Sequence, residues 1–293
     1  MDKVAVENFS TAGRIASKIL KEALKEAREG TDLLDLANYV DERIAQEGGK
    51  PAFPVNLSIN HVAAHFTPVS KGDLLKVGDM LKIDLGVHVD GYLADTASTI
   101  QVGVGTKHPM IAASKDALAK GLEHVIPNGE VERVGSVVSS TISSRGFKVI
   151  ENLTGHLMKK NKLHAGLSVP NIPEASGETF PKEGAVAIEP FATDGAGHVV
   201  AGKNGNIYLF VREGRLKIPS HKNSARYLKD NHPYFPFTPR WISLPDFSSD
   251  LMALERKGAV RAYPVLNEAS GGTVTQHEHT VLLYDGKAVV TTV

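Results

Sequence analysis

Cysteine is absent from the 293 residues. That excludes disulfides, thiolate metal sites and a cysteine nucleophile, so any bound metal must be held by oxygen and nitrogen. An excess of one charge is also lacking: 33 Lys and Arg balance 33 Asp and Glu, for a formal net charge of zero. So balanced a chain offers no broad attraction for nucleic acid or an anionic membrane, and neither is expected as a partner. No run of about 18 apolar residues is present, and the N-terminus has no cationic segment followed by an apolar one. The location expected from this is cytoplasmic. Glutamine occurs only at positions 46, 101 and 276, a scarcity that fits a heat-adapted source. Apolar residues are plentiful: 42% of the chain is hydrophobic, enough for one large domain or two modest ones.

Helical periodicity runs over 4–29, with Ile15, Ile19, Leu20 and Leu24 on one face and Gly30 as a stop. Thr31 or Asp32 then caps a second helix that reaches about Glu47. A strand over 52–58 leads into INHVAAHFTP, helices are predicted over 107–126 and 131–144, and a strand over 147–152. PKEGAVAIEPFAT (181–193) reads as a buried strand ending in an acid, and 273–293 as a hairpin turning at Asp285-Gly286. VGDMLKIDLG and KEGAVAIEPF share a pattern of glycine, apolar strand and acid, a faint internal repeat that sets Asp84 against Glu189. Residues 202–262 break this pattern. They carry two predicted helices (223–230 and 248–257) around PYFPFTPRW and read as an inserted helical subdomain, with Tyr234, Phe235, Phe237 and Trp241 as its small core. The remainder, 1–201 and 263–293, forms the main domain.

The stretch KIDLGVHVDGYLADTA (82–97) alternates apolar residues and turns at Asp90-Gly91, a hairpin signal. Counting outward from a two-residue turn pairs Val89 with Tyr92, Val87 with Ala94, Gly86 with Asp95, and Asp84 with Ala97. Asp84 and Asp95 then share a face as diagonal neighbours, with α-carbons roughly 7 to 8 Å apart. Two carboxylates that close on a half-buried sheet require a proton or a cation between them. Two solvated acids on an open sheet face are the alternative.

Three more polar residues fall at predicted strand ends: His156 in NLTGHLM, Glu189 in AIEPF and Glu278 in TQHEHT. Singly, His156 fits a hydrogen-bonded structural histidine and Glu278 a surface acid, whereas Glu189 follows a fully apolar AVAI, where an unpartnered acid is expensive. Together, four carboxylates and one imidazole suit two divalent cations about 3.5 to 4 Å apart.

In its motifs the chain resembles the methionine aminopeptidases, specifically those of type II. The matching segments are NHVAAHFTP with His65, KIDLGVHVDGYLADTA with Asp84 and Asp95, NLTGHLMKKNKLHAG with His156 and His164, AIEPFATDGAG with Glu189, and TQHEHTVLL with Glu278. The resemblance implies an α+β pita-bread fold, two pseudo-symmetric halves of antiparallel strands and helices around a dimetal site, with the type II insertion between the fourth and fifth ligands. It implies two divalent ions (cobalt, manganese, iron or zinc) with Asp95 and Glu278 bridging, Asp84 terminal on one, and His156 with Glu189 terminal on the other. It also implies Glu189 as the group that handles the proton of the attacking water, His164 at the developing oxyanion and His65 at the scissile amide or leaving group. Phe53, Leu163 and Tyr263 are expected to line the methionine pocket.

The implied activity is removal of the initiator methionine, when the second residue is small, from peptides and nascent chains, which places the enzyme near the ribosome. A monomer is expected. The chain begins directly in the catalytic domain, without the long charged N-terminal extension of larger members, which puts docking through such an extension in doubt. Two rivals share the fold: a non-catalytic shell that binds a partner, and a peptidase that cleaves Xaa-Pro bonds. Binding-only relatives lose ligands, and Xaa-Pro peptidases usually carry a further N-terminal domain.

Overall fold

The structure, a computed structural model, describes residues 1–214 and 216–293. Helix α1 (Lys3–Glu26) starts at Asp2, whose side chain accepts a hydrogen bond from the Ala5 amide at 2.7 Å. Its buried residues Phe9, Ala12, Ile15, Ile19 and Ala23 recur at helical spacing. Asp32, not Thr31, caps α2 (Leu33–Gln46), accepting from the Leu34 amide. Both helices cover a sheet of order β1-β3-β4, built from Lys50–Ile59, Met80–Val89 and Tyr92–Gln101, and bury Ile15, Ile19, Leu36, Leu57, Ile83 and Leu85. Each such Ile or Leu contributes about 1.5 to 3 kcal/mol by leaving water.

A second layer repeats this plan. Helices α3 (Pro109–Leu122) and α4 (Val131–Ser144) pack on a five-stranded sheet of order β14-β13-β8-β6-β7. Its strands are Lys287–Val290, His279–Tyr284, Gly184–Ile188, Thr154–Met158 and Ser168–Pro170. Helix α3 ends before 126 and starts later than 107, the start being set by His108, which caps it, and Pro109, which opens it. The strand expected over 147–152 shrinks to β5 (Lys148–Val149). The strand expected over 181–193 is broken in two: β8 ends at Ile188, and β9 (Phe191–Thr193) joins a different sheet with β5 and β12 (Val274–Gln276). Pro190, which has no amide hydrogen to continue the ladder, lies at the break, directly after Glu189.

The two layers are joined at their centre. Ala97 of β4 and Glu278 exchange backbone hydrogen bonds of 3.3 and 2.9 Å, and the Thr280 hydroxyl both donates to the Asp95 carbonyl and accepts from the Asp95 amide, each at 2.8 Å. Lys82, fully buried, donates to the carbonyls of Asn60, Met80 and Val274 and so ties β3 to the strand that leads to Glu278. Helix α1 reaches across both layers, and a Cβ at Gly13 would come within 2.4 Å of the Thr291 carbonyl.

Strands β10 (Val199–Phe210) and β11 (Val260–Glu268) form a long hairpin, with β2 (Val62–Ala64) on the free side of β11. The boundaries at 202 and 262 fall inside this hairpin; Arg215, within that range, lies outside the described residues. From its tip come α5 (Pro219–Asn231) and α6 (Phe247–Arg256), which with Leu228, Phe237, Phe247 and Leu254 make a separate core. The aromatics of PYFPFTPRW do not all join it. Phe237 does, and Trp241 packs at its edge. Tyr234 is 56% exposed, and Phe235 turns into the main body to pack in the cluster that holds Phe53 and Leu93. The Phe235 ring, on the loop between α5 and α6, is buried against His88 of β3, at 4.5 Å between ring centres.

Candidate active site

The hairpin count holds in the structure: Gly86 pairs with Asp95 and Asp84 with Ala97. The face that carries them is not open. Asp95 is 4% exposed, because Glu278 and its strand lie across β4, so the solvated alternative fails. Gly86 leaves room for a specific occupant: a Cβ there would fall 2.3 Å from the Phe53 ring, which fills the space from β1.

His156 sits on β6, its Nε2 3.6 Å from Asp95 Oδ2 and 3.9 Å from Glu189 Oε1. Asp95, His156 and Glu278 offer ligand atoms that all lie within 4.8 Å of one another. Glu189 occupies the switch between two sheets, where the Asn171 side chain donates to its carbonyl at 3.0 Å. In TQHEHT the flanking histidines turn away from Glu278. His277 Nδ1 lies 2.9 Å from the Ser114 hydroxyl, and His279 Nδ1 lies 2.9 Å from that of Thr292. Strand alternation thus sends one residue of the triplet inward.

Electrostatics at this point are unbalanced. Burial, reinforced by neighbouring carboxylates, pushes Asp84, Glu189 and Glu278 well above the usual carboxylate range, and burial pushes Asp95 up to about 7. Among the described residues no lysine or arginine pairs with any of the four. Asp84 Oδ1, Asp95 Oδ1 and Glu278 Oε1 are buried without a hydrogen-bond partner. Burial also lowers His156 to about 4, so its ring is neutral near pH 7 and able to donate a lone pair. Clustered acids with orphaned oxygens and a neutral imidazole are a donor set that fits hard or borderline divalent cations.

These residues form the floor of a cavity of about 410 Å³ whose lining also includes Phe53, His65, Leu163, His164 and Tyr263. The His164 ring is 4.4 Å from that of His156, and the His65 ring meets Tyr263 edge-on at 5.3 Å. Burial lowers both His65 and His164 to about 4. His65 has φ of 65°, and its amide donates to Asn56 Oδ1 at 2.7 Å. Ile207 and Pro236 line the same cavity, and no sequence motif marks either. Pro236 lies in the aromatic run assigned above to the insertion. Gln276 also escapes a sequence reading: its amide donates to Glu278 Oε2 at 3.2 Å.

Comparison with known proteins agrees with this geometry. Metallopeptidase family M24 matches residues 7–230. Methionine aminopeptidase of Pyrococcus horikoshii is 45% identical over 294 residues, 98% of this chain and 99% of that one. Among solved structures, a thermophilic Arx1 superposes with a TM-score of 0.87 at 18% identity, covering 99% of this chain and 91% of that one. Methionine aminopeptidase of Thermotoga maritima superposes with a TM-score of 0.72 at 20% identity, covering 100% of this chain and 98% of that one. These two likenesses bear on the fold, which is the pita-bread arrangement, while the full-length identity bears on the activity. The chain belongs to metallopeptidase family M24 as a methionine aminopeptidase, an enzyme that removes methionine from the N-terminus of a polypeptide.

Proposed function

We propose that the enzyme works with two divalent ions, cobalt, manganese, iron or zinc, held by Asp84, Asp95, His156, Glu189 and Glu278. In this reading Asp84, Asp95, Glu189 and Glu278 would supply carboxylate oxygens and His156 a ring nitrogen to hold them. The observation that carries it is the set of four clustered carboxylates, Asp95 and Glu278 buried and Asp84 and Glu189 half-buried, around a neutral imidazole, with no cationic side chain to offset them among the described residues. Bound there, such ions supply Lewis acidity and lower the pKa of water.

The chain's own side chains do the rest. Glu189 takes the proton of the attacking water and passes it toward the leaving amine. His164 hydrogen-bonds the carbonyl oxygen as charge develops on it, and His65 contacts the scissile amide on its leaving side. Phe53, Leu163 and Tyr263, with Ile207 and Pro236, receive the methionine side chain. The walls close around the first residue, so the second must be small. We further assign the chain to type II, with 202–262 as the insertion and 1–201 with 263–293 as the catalytic domain. We propose that it acts as a cytoplasmic monomer on peptides and on nascent chains near the ribosome. Among the described residues no helix is long and apolar enough to cross a membrane.

A binding-only shell and an Xaa-Pro peptidase are not favoured, given full-length relatives that are methionine aminopeptidases. The test is to strip the protein with a chelator, reload it with each metal in turn, and follow metal content and hydrolysis of Met-Ala-Ser. Activity should vanish and return with about two equivalents of metal. Full activity in metal-free protein would end this reading.

A further inference from the structure

A buried polar cluster joins the helical part of the insertion to the main body. Arg240, in the helical turn Pro239–Trp241, donates from Nη2 to Asp41 Oδ2 of α2 at 2.7 Å and from Nη1 to the Thr67 hydroxyl at 2.6 Å. Trp241 Nε1 donates to the same Asp41 oxygen at 2.6 Å. The Arg240 side chain is 6% exposed and Thr67 is fully buried, so these contacts are out of reach of competing water.

Thr67 lies two residues after His65, in a segment held on every side by hydrogen bonds. The Phe66 carbonyl accepts from the Leu57 amide at 2.9 Å, the Thr67 amide donates to the Gly205 carbonyl at 3.0 Å, and the Thr67 carbonyl accepts from the Asn206 side chain at 3.0 Å. Approach to the segment is close, for a Cβ at Gly205 would fall 1.6 Å from the His65 carbonyl oxygen. His65 itself stays in the left-handed region, which costs a non-glycine residue energy and persists where its surroundings impose it. The insertion supplies three of these constraints: Gly205 and Asn206 of β10 hold the Thr67 backbone, and Arg240 alone holds its side chain.

We propose that Arg240, with Asp41 as its counter-ion, is a positioning residue: it holds Thr67 and with it the strained turn that points His65 into the cavity. The inserted subdomain then sets part of the active-site geometry. This rests on the reading of His65 as the group that contacts the scissile amide.

The test uses metal-loaded, full-length protein. Thr67→Val removes the hydroxyl that Arg240 grips and leaves both backbone anchors and the Arg240–Asp41 pair in place. It should lower kcat for Met-Ala-Ser about 10-fold, within the roughly 100-fold that a small misplacement of a positioned group can cost. Metal content should stay the same, KM should change little, and amide exchange over 64–67 should quicken. Thr67→Ser should restore the rate. Asp41→Asn, placed on another element, should act in the same direction and covers the case in which Thr67→Val is poorly folded. In a His65→Ala background neither change should cost anything further. Unchanged kcat in both Thr67→Val and Asp41→Asn, or losses that simply multiply with that of His65→Ala, would overturn the proposal while His65 keeps its role. No loss in His65→Ala alone would remove the reading of His65 and this proposal with it.

Discussion

Glu268, at the end of β11, is 2% exposed, and its carboxylate gathers hydrogen bonds from two separate loops. It accepts from the amides of Ala196, Gly197 (3.1 Å), Ser270 (2.8 Å) and Gly272 (2.9 Å), and from the Ser270 hydroxyl (2.8 Å). Burial alone would push this acid up. The Ser270 hydroxyl and the amides of Gly272, Ser270 and Gly197 outweigh it and hold the pKa at about 2, against an ordinary 4.5. A native pKa below the unfolded one means that the unfolded chain binds more protons in acid, so stability is gained as pH rises. The contribution is therefore complete above the unfolded pKa and is lost as pH falls through the native one. At pH 7 it is about 3 kcal/mol, and at pH 3 about 1.4 kcal/mol. Glu268→Gln keeps the shape and removes the charge. Urea unfolding of the chelated protein, which takes metal linkage out of the measurement, should show the variant less stable by about 3 kcal/mol at pH 7 and by less than half of that at pH 3. An equal loss at both values would mean that shape, not charge, is what the two loops require.

Asp95→Asn should lower kcat/KM for Met-Ala-Ser by on the order of 100-fold or more with a nearly unchanged melting curve. Asp90→Asn should do little, because Asp90 is exposed in the turn at φ 49°, a conformation asparagine tolerates; comparable rates for the two variants would refute the assignment. His156→Ala should lose metal, whereas His164→Ala should keep it and lose kcat; equal depletion by elemental analysis would show that the two histidines do not divide the work. Across a Met-Xaa-Ser series, Ala and Gly should be cleaved well and Lys, Glu and Trp poorly, and a flat profile would indicate a general aminopeptidase. Norleucine in place of methionine should still be accepted, since an apolar pocket discriminates by only about 1 to 3 kcal/mol per methylene-sized group.

The β3–β4 hairpin was legible to the residue because its turn chemistry and its alternation agree, and α4 for the same reason of uninterrupted period. The break at Glu189-Pro190 was not read, although proline marks it. Apolar residues continue on both sides, and only the sheets reveal that they pair with different neighbours. Burial on the second face of the hairpin was equally hidden, since the covering strand comes from about 180 residues further on, and the Thr280 hydroxyl reaches Asp95 across a separation of 185. Phe235 shows a different limit. Composition placed it in the insertion, but a ring at the edge of two cores goes where a gap exists, and that gap lies beside His88 and Phe53. Ile207 and Pro236 are ordinary residues that only tertiary position turns into pocket wall.

The triplet His277, Glu278, His279 alternates imidazole and carboxylate along a chain whose side chains face opposite sides in turn. A slip of one residue would withdraw the acid from the cavity and present an imidazole in its place. The hardness of the site is therefore written in strand alignment as well as in residue identity. A single-residue deletion just before the strand, with every donor type still present in the sequence, would exchange an anionic oxygen for a neutral nitrogen and shift preference toward softer ions. The bonds between Ser114 and His277 and between Thr292 and His279, with the Ala97 clasp on Glu278 itself, hold the alignment that keeps the oxygen inside.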